Sequence, residues 1–107
     1  MDRWIVTDRF GREIYLTQER WDHILSTHFE LAERREDVLD TVRFGRRKQA
    51  RRESQTFLYY RRVKDLPEPY DTIVVVVAFR YKSLPGSNEM VVNNFVVTAW
   101  AGLFATE

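Results

Sequence analysis

The sequence predicts an α+β domain: two N-terminal helices packed on one face of a roughly four-stranded antiparallel sheet, with a short N-terminal hairpin. Two patterns support this. Apolar residues recur with a helical period in the first half of the chain, and β-branched and aromatic runs dominate from residue 55 onward. The chain has 107 residues, of which 44% are hydrophobic and 14% aromatic, which is enough for one hydrophobic core. We therefore expect residues 1–107 to form a single domain.

The N-terminal hairpin is predicted from two short apolar segments, residues 4–7 and 13–16, that flank a turn at Gly11. Thr17 follows as a plausible N-cap, because its hydroxyl can accept a hydrogen bond from the first turn of a helix. Gln18 and Glu19 then begin that helix, and an acidic residue is favourable at its positive end.

The first helix carries an apolar stripe at positions i, i+3, i+4, i+7 and i+8, formed by Trp21, Ile24, Leu25, His28 and Phe29. This spacing predicts a helix that continues through Phe29, with His28 facing the sheet. A second helix is predicted over residues 33–43, with its apolar face formed by Val38, Leu39 and Val42. Phe44-Gly45 ends it.

The second half of the chain predicts strands. Residues 47–52 could form a strand with a polar face, and residues 55–63 are richer in aromatic and β-branched side chains. Residues 72–82 are almost continuously apolar, which predicts a central strand. A loop over residues 83–89 then leads into an antiparallel strand over residues 90–100. Pro67 and Pro69 interrupt the chain before the central strand.

The net charge is only +1, but the charges are unevenly distributed. Eight acidic residues lie between Glu13 and Asp40, whereas residues 43–53 contain five arginines, one lysine and a single acid. A local basic block on a nearly neutral chain favours a phosphate-bearing partner. Its predicted substrate-binding members are Arg46, Arg47, Lys48, Arg51 and Arg52. The alternative interpretation is an ordinary solvated strand and loop.

Composition also excludes several classes. The chain has no cysteine, so disulfides and thiolate metal sites are excluded. No apolar run approaches the roughly 18 residues that a membrane helix needs. The N-terminal residues are charged where a signal peptide would be apolar. We expect a cytoplasmic protein with no membrane association.

The two histidines, His23 and His28, lie about 140° apart around the predicted helix. Helical zinc sites use histidines at i and i+4, so a two-histidine metal site is not expected. His28 lies in the apolar stripe, where a histidine is commonly a hydrogen-bonded core residue, and His23 is expected on an exposed side. Histidine is nevertheless the side chain best suited to proton transfer near neutral pH.

Polar residues in the strands provide further candidates. Strand alternation places Tyr60 and Arg62 on one face and Tyr59 and Arg61 on the other. The same rule places Asn94, Thr98 and Trp100 on a common face. Arginine and lysine can bind phosphates, and tyrosine and tryptophan can stack on bases, so this composition is typical of RNA binding. The alternative is cross-strand pairing on a half-solvated sheet.

Several segments together resemble a known family. They are WDHILSTHFEL, REDVLDTVRFG, FLYYRRV, VVVVAFR and FVVTAW, which span most of the chain. They are similar to the phage-associated nucleases of the barnase, EndoU, colicin and RelE-like group, abbreviated PBECR. Phe29 departs from the pattern, because that family often has proline after the second histidine.

The resemblance implies a RelE- or barnase-like fold and a metal-independent, toxin-like endoribonuclease that uses no cofactor. In such enzymes the RNA 2′-OH attacks the adjacent phosphate, a base takes its proton, and an acid protonates the leaving 5′-oxygen. Carried over by position, the catalytic candidates are His28, His23, Tyr60, Arg62 and Thr98. Arg61, Arg80, Lys82 and Trp100 join the basic block as substrate-binding candidates.

The expected partner is therefore RNA, and a toxin-like role would add a neutralising antitoxin or immunity protein. Two other function classes stay open. One is a nucleic-acid-binding module without an active site, and the other is a protein-interaction accessory protein of a mobile element. Neither the RNA substrate nor the oligomeric state follows from the sequence.

Overall fold

The computed structural model describes residues 2–52 and 54–104. The predicted α+β class is confirmed: two helices pack on one face of a mixed sheet. The N-terminal strands are β1 (Arg3–Thr7) and β2 (Glu13–Thr17), and the helices are α1 (Gln18–Thr27) and α2 (Arg35–Phe44). The remaining strands are β3 (Arg46–Gln49), β4 (Thr56–Arg62), β5 (Thr72–Ala78), β6 (Tyr81–Ser83), β7 (Met90–Val92) and β8 (Phe95–Gly102).

The predicted strand number is wrong, whereas the predicted antiparallel pairing holds for every strand pair of the described sheets except β2 with β8. The main sheet has six strands in the order β1-β2-β8-β5-β4-β3, because the N-terminal hairpin joins it instead of standing beside it. The sheet is mixed, since β2 runs parallel to β8 where Tyr15 pairs with Phe95. The strands predicted over residues 72–82 and 90–100 each break in two, and their outer parts pair as the separate β6–β7 hairpin.

The first helix also ends earlier than its apolar stripe predicts. Thr17 is the N-cap, as expected, and its hydroxyl accepts a hydrogen bond from the Arg20 amide at 3.0 Å. The helix stops at Thr27, and His28 is its C-cap with a φ of −127°. Residues Phe29–Leu31 form a short 3-10 turn in which the side chain of Phe29 is 77% exposed. Only the earlier members of the stripe therefore pack as a helix face.

The hydrophobic core lies between the helices and one face of the sheet. Helical residues Ile24, Val38 and Val42 pack there against alternate residues of the central strands, such as Tyr59 and Val75. We refer to this side of the sheet as the helix face and to the other side as the open face. Among the described residues, no helix is long and apolar enough to span a membrane.

Gly45 ends α2 and places β3 directly after the helix. A Cβ atom at this position would lie 2.7 Å from the carbonyl oxygen of Tyr60 and would also clash with the carbonyl oxygen of Thr41. The end of α2 therefore packs against the backbone of β4 without room for a side chain. This close approach fixes β3 at the sheet edge, where its basic residues alternate between the two faces.

Candidate functional site

The open face carries aligned rows of cationic and aromatic side chains. In one row, Arg46, Tyr60, Val74 and Trp100 are directly paired across four neighbouring strands. Directly paired residues project to the same side of a sheet, so these side chains share the open face. Val74 is 1% exposed although it lies outside the core cluster that contacts the helices, since the larger Tyr60 and Trp100 flank it.

A second row lies beside the first and contains Lys48, Leu58, Val76 and Thr98. The Lys48 ammonium lies 5.8 Å from the centre of the Tyr60 ring, within the range of a cation–π contact. On the other side of Tyr60, Arg62 lies two residues further along β4 and therefore projects to the same face. Tyr60 thus has Arg46, Lys48 and Arg62 as cationic neighbours.

The C-terminal Phe104 also contributes to the open face, which the sequence did not indicate. Its ring lies 4.4 Å from the Arg62 guanidinium carbon and 6.4 Å from the Tyr60 ring. Its amide donates a hydrogen bond to the Asp71 carboxylate at 2.9 Å. That bond, together with one from the Thr72 hydroxyl, lowers the pKa of Asp71 below its ordinary value. Asp71, 33 positions earlier in the sequence, therefore holds Phe104 beside Arg62 through this hydrogen bond.

His28 borders this surface from the far side of β8. Its imidazole ring lies 6.3 Å from the ring of Trp100. Its Nδ1 atom lies 3.5 Å from the Glu30 carboxylate, and the same carboxylate oxygen accepts a hydrogen bond from the Ala101 amide at 3.3 Å. Glu30 therefore both covers the edge of β8 and orients the imidazole, as carboxylates commonly do for histidines that transfer protons.

His28 and Tyr60 lie apart on this surface. Trp100 and Tyr60 are separated by two strand spacings, about 10 Å, and His28 contacts Trp100 from the opposite side of β8. The structure therefore groups Tyr60 with the three cations and places His28 at the flank. His28 and Tyr60 are both partly exposed, but with Trp100 and a further strand between them they do not face one phosphate directly.

Other predicted site residues lie elsewhere. His23 is exposed in the middle of α1, and Arg51 and Arg52 are exposed in the connection from β3 to β4. Asn94 lies outside β8, which begins at Phe95, and a register shift beside Val76 and Val77 interrupts the alternation that would have linked Asn94 to Thr98 and Trp100. The side-chain amide of Asn94 instead donates to the Glu13 carbonyl.

Arg47 and Arg61 lie on the helix face, directly next in sequence to residues of the open face. The Arg47 guanidinium carbon lies 4.3 Å from the Phe10 ring and 4.5 Å from the Phe57 ring. Arg61 donates a hydrogen bond to the Asp37 carbonyl and lies 3.7 Å from the Asp37 carboxylate. Both side chains are therefore engaged in packing α2 and the N-terminal turn against the sheet.

Arg80 and Lys82 line a separate groove of about 770 Å³ between the N-terminal hairpin and the β6–β7 hairpin. Within residues 2–52 and 54–104, no group of three or more histidine, aspartate or glutamate side chains is placed to hold a metal ion. Comparison of the chain with protein-family models, curated proteins and solved structures finds no match. The function of the open face must therefore be inferred from the side chains that it presents.

Proposed function

We propose that the protein binds single-stranded RNA on the open face and cleaves it as an endoribonuclease, with the chemistry centred on Tyr60. The observation that carries this proposal is the clustering of Arg46, Lys48 and Arg62 around a partly exposed tyrosine, on the sheet face opposite to the one that α1 and α2 pack against. The resemblance of the sequence to the PBECR nucleases supports the same reaction class.

The arrangement suits RNA because it combines charges with rings. Three cations can neutralise phosphate oxygens and stabilise the extra negative charge of a pentacoordinate phosphate. The indole of Trp100, about 10 Å from Tyr60 along the row, offers a surface on which a base can stack. Thr98 in the neighbouring row can donate a hydrogen bond to the sugar or phosphate.

In the proposed reaction the 2′-oxygen attacks the adjacent phosphorus while the bond from phosphorus to the 5′-oxygen breaks. One group accepts the 2′-OH proton, and another supplies a proton to the departing 5′-oxygen. Tyr60 is the proton-handling group beside the cations, and its neutral hydroxyl is assigned to protonate the departing 5′-oxygen, while solvent water accepts the 2′-OH proton. His28 contacts the flanking nucleotide beside Trp100, where its protonated form can pair with a phosphate. The products are a 2′,3′-cyclic phosphate and a free 5′-hydroxyl.

The test is incubation of the purified protein with a defined RNA in EDTA, beside the Tyr60→Phe, Arg62→Ala and His28→Ala variants. Tyr60→Phe keeps the ring but removes the hydroxyl, so we expect RNA binding to persist while cleavage falls at least about 100-fold. Arg62→Ala should weaken both RNA binding and RNA cleavage. Lys64→Ala, which removes an exposed lysine in the turn after β4, is the matched control and should cleave like the wild type.

A substrate with a single 2′-deoxy nucleotide supplies the second readout, because it cannot undergo 2′-OH attack at that position. Cleavage that stops there and otherwise leaves cyclic phosphate ends agrees with the proposal. Cleavage that ignores the deoxy substitution, or that Tyr60→Phe leaves intact, contradicts the mechanism.

The separation of His28 from Tyr60 favours a second candidate function, an RNA-binding module without cleavage. Such a module would bind RNA with an affinity that falls steeply as salt is raised, yet leave it intact. RNA left uncut both free and in a translating extract, with binding retained, would establish this alternative. Absence of binding as well would favour a protein-interaction role.

A further inference from the structure

The groove of about 770 Å³ between the two hairpins is not used by the proposed reaction. Its walls come from β1, β2 and the turn that joins them on one side, and from residues 79–82 and 92–94 on the other. A volume of this size lies within the range of ligand-binding pockets. The groove therefore has room for a ligand of one or two nucleotides.

The charge of the groove is strongly positive. Among the described residues, Arg3, Arg12, Arg80 and Lys82 line it, with Glu13 as the one carboxylate. The cations are arranged around the groove because two elements distant in sequence contribute them, the N-terminal hairpin and the start of β6. On a chain whose net charge is only +1, this concentration favours an anionic ligand.

Aromatic rings accompany these cations. Tyr15 lines the groove, and the Arg3 guanidinium carbon lies 4.7 Å from the centre of its ring. The Tyr15 hydroxyl donates to the Asn93 side chain at 2.8 Å, which holds the ring in place. Tyr81 is 65% exposed at the other wall, where its ring is available to a ligand. Cations that lie near the exposed ring of Tyr81 are suited to bind phosphates while a base stacks on that ring.

The groove continues the open face. Tyr15 pairs with Phe95 where β2 meets β8, and the centres of their rings lie 6.1 Å apart. Because β8 also carries Thr98 and Trp100, one strand joins the groove to the rows around Tyr60. A single strand of RNA lying across the open face therefore reaches the groove without crossing a helix.

We infer that this groove binds the nucleotides that flank the reactive phosphate in the same RNA strand. This inference rests on the proposed function. Phosphates of the flanking nucleotides contact Arg12 and Lys82, and a base stacks on Tyr81. The groove thereby makes the protein prefer RNA long enough to occupy both regions, and it supplies affinity without supplying a reacting group.

The test measures binding of 2′-O-methyl RNA, which cannot be cleaved by 2′-OH attack, in lengths of 4 and 12 nucleotides. The Arg12→Ala/Lys82→Ala variant should bind the 12-nucleotide RNA about 10-fold more weakly and the 4-nucleotide RNA as the wild type does. The slope of log affinity against log salt should fall by about 1.4, since each of two lost phosphate contacts contributes about 0.7 on single strands.

Two matched comparisons distinguish the groove from general charge and folding effects. Lys64→Ala removes another exposed lysine and should leave both affinities unchanged, whereas Lys82→Ala should weaken binding of the longer RNA only. Tyr81→Ala should also weaken binding of the 12-nucleotide RNA. Tyr81→Phe should bind this RNA like the wild type, because the phenyl ring still stacks on a base. Circular dichroism checks that each variant is folded.

The outcomes separate the two proposals. If wild-type protein binds and cleaves RNA but the groove variants match Lys64→Ala, the groove inference is overturned and the proposed function stands. Equal weakening of short and long RNA by Arg12→Ala/Lys82→Ala also overturns it, because the groove would then not act on flanking nucleotides. If the wild type binds neither length, both proposals fail.

Discussion

The two faces of the sheet use the same residue types for opposite purposes. Arg46-Arg47, Tyr59-Tyr60 and Arg61-Arg62 are adjacent pairs, and in each pair one member lies on the open face and the other on the helix face. On the helix face Arg47 stacks on aromatic rings, Arg61 contacts Asp37, and Tyr59 is fully buried. Their neighbours remain accessible to a ligand. Residue type alone therefore does not identify a site, because the side of the strand decides what a cation or a ring can contact.

The tyrosine pair gives the largest expected contrast. Tyr59 is 0% exposed, so Tyr59→Ala leaves a cavity in the core and should lower the free energy of unfolding by about 3–5 kcal/mol. Tyr60→Ala should lower the free energy of unfolding by only about 1 kcal/mol, because the Tyr60 side chain is partly exposed. The same variant should abolish RNA cleavage. Urea unfolding of both variants measures the contrast. Equal destabilisation would show that the open face is also part of the core.

Alkaline pH should lower the stability of the protein through Tyr59, the buried member of this tyrosine pair. Burial, together with the hydrogen bond that its hydroxyl donates to Asp8, raises the pKa of Tyr59 above its ordinary value. The unfolded chain releases this proton near pH 10 whereas the folded chain retains it, so stability should fall as pH rises beyond about 10.

The fall is at most about 1.4 kcal/mol per pH unit for one proton. Urea midpoints between pH 8 and pH 11 check this, and Tyr59→Phe should show a shallower decline than the wild type. If the two profiles run parallel, the Tyr59 hydroxyl is not the group responsible.

The arginine pair should show the smallest effects, but in different measurements. Arg61→Ala removes a partly exposed ion pair with Asp37 and should lower stability by no more than about 1 kcal/mol, with RNA affinity unchanged. Arg62→Ala should leave stability nearly unchanged and weaken RNA binding about fivefold. Unfolding and anisotropy measurements on the two variants test this. An Arg61→Ala variant that binds RNA less well than Arg62→Ala would reverse the assignment of the faces.

Local sequence patterns predicted much of the fold because they depend on near neighbours. The Thr17 cap, the apolar face of α2 and the alternation along β4 all follow from residues within a few positions of one another. The same alternation correctly separated Tyr60 and Arg62 from Tyr59 and Arg61. Alternation did not indicate which of these faces is open, so the predicted substrate-binding residues included Arg47 and Arg61, which lie on the helix face.

The errors concern contacts between distant residues. The register shift in β8 interrupts the alternation that would have linked Asn94 to Thr98 and Trp100, and an extra residue in one strand has no clear signature in alternation. The stripe that ran through His28 and Phe29 did not reveal that α1 ends at Thr27. Nor did any local signal indicate that the N-terminal hairpin would join the main sheet.

By itself, the sequence determined the α+β class, the start of α1 and the alternation of side chains along β4, because helix and strand periods are set by local backbone geometry. Only the tertiary structure decided which side chains meet. It surrounded Tyr60 with cations from β3 and β4, seated Phe104 beside Arg62 through Asp71, and brought Arg12 and Lys82 to one groove. These placements depend on strand order and chain reversal, which arise from packing of the whole core and not from any single segment.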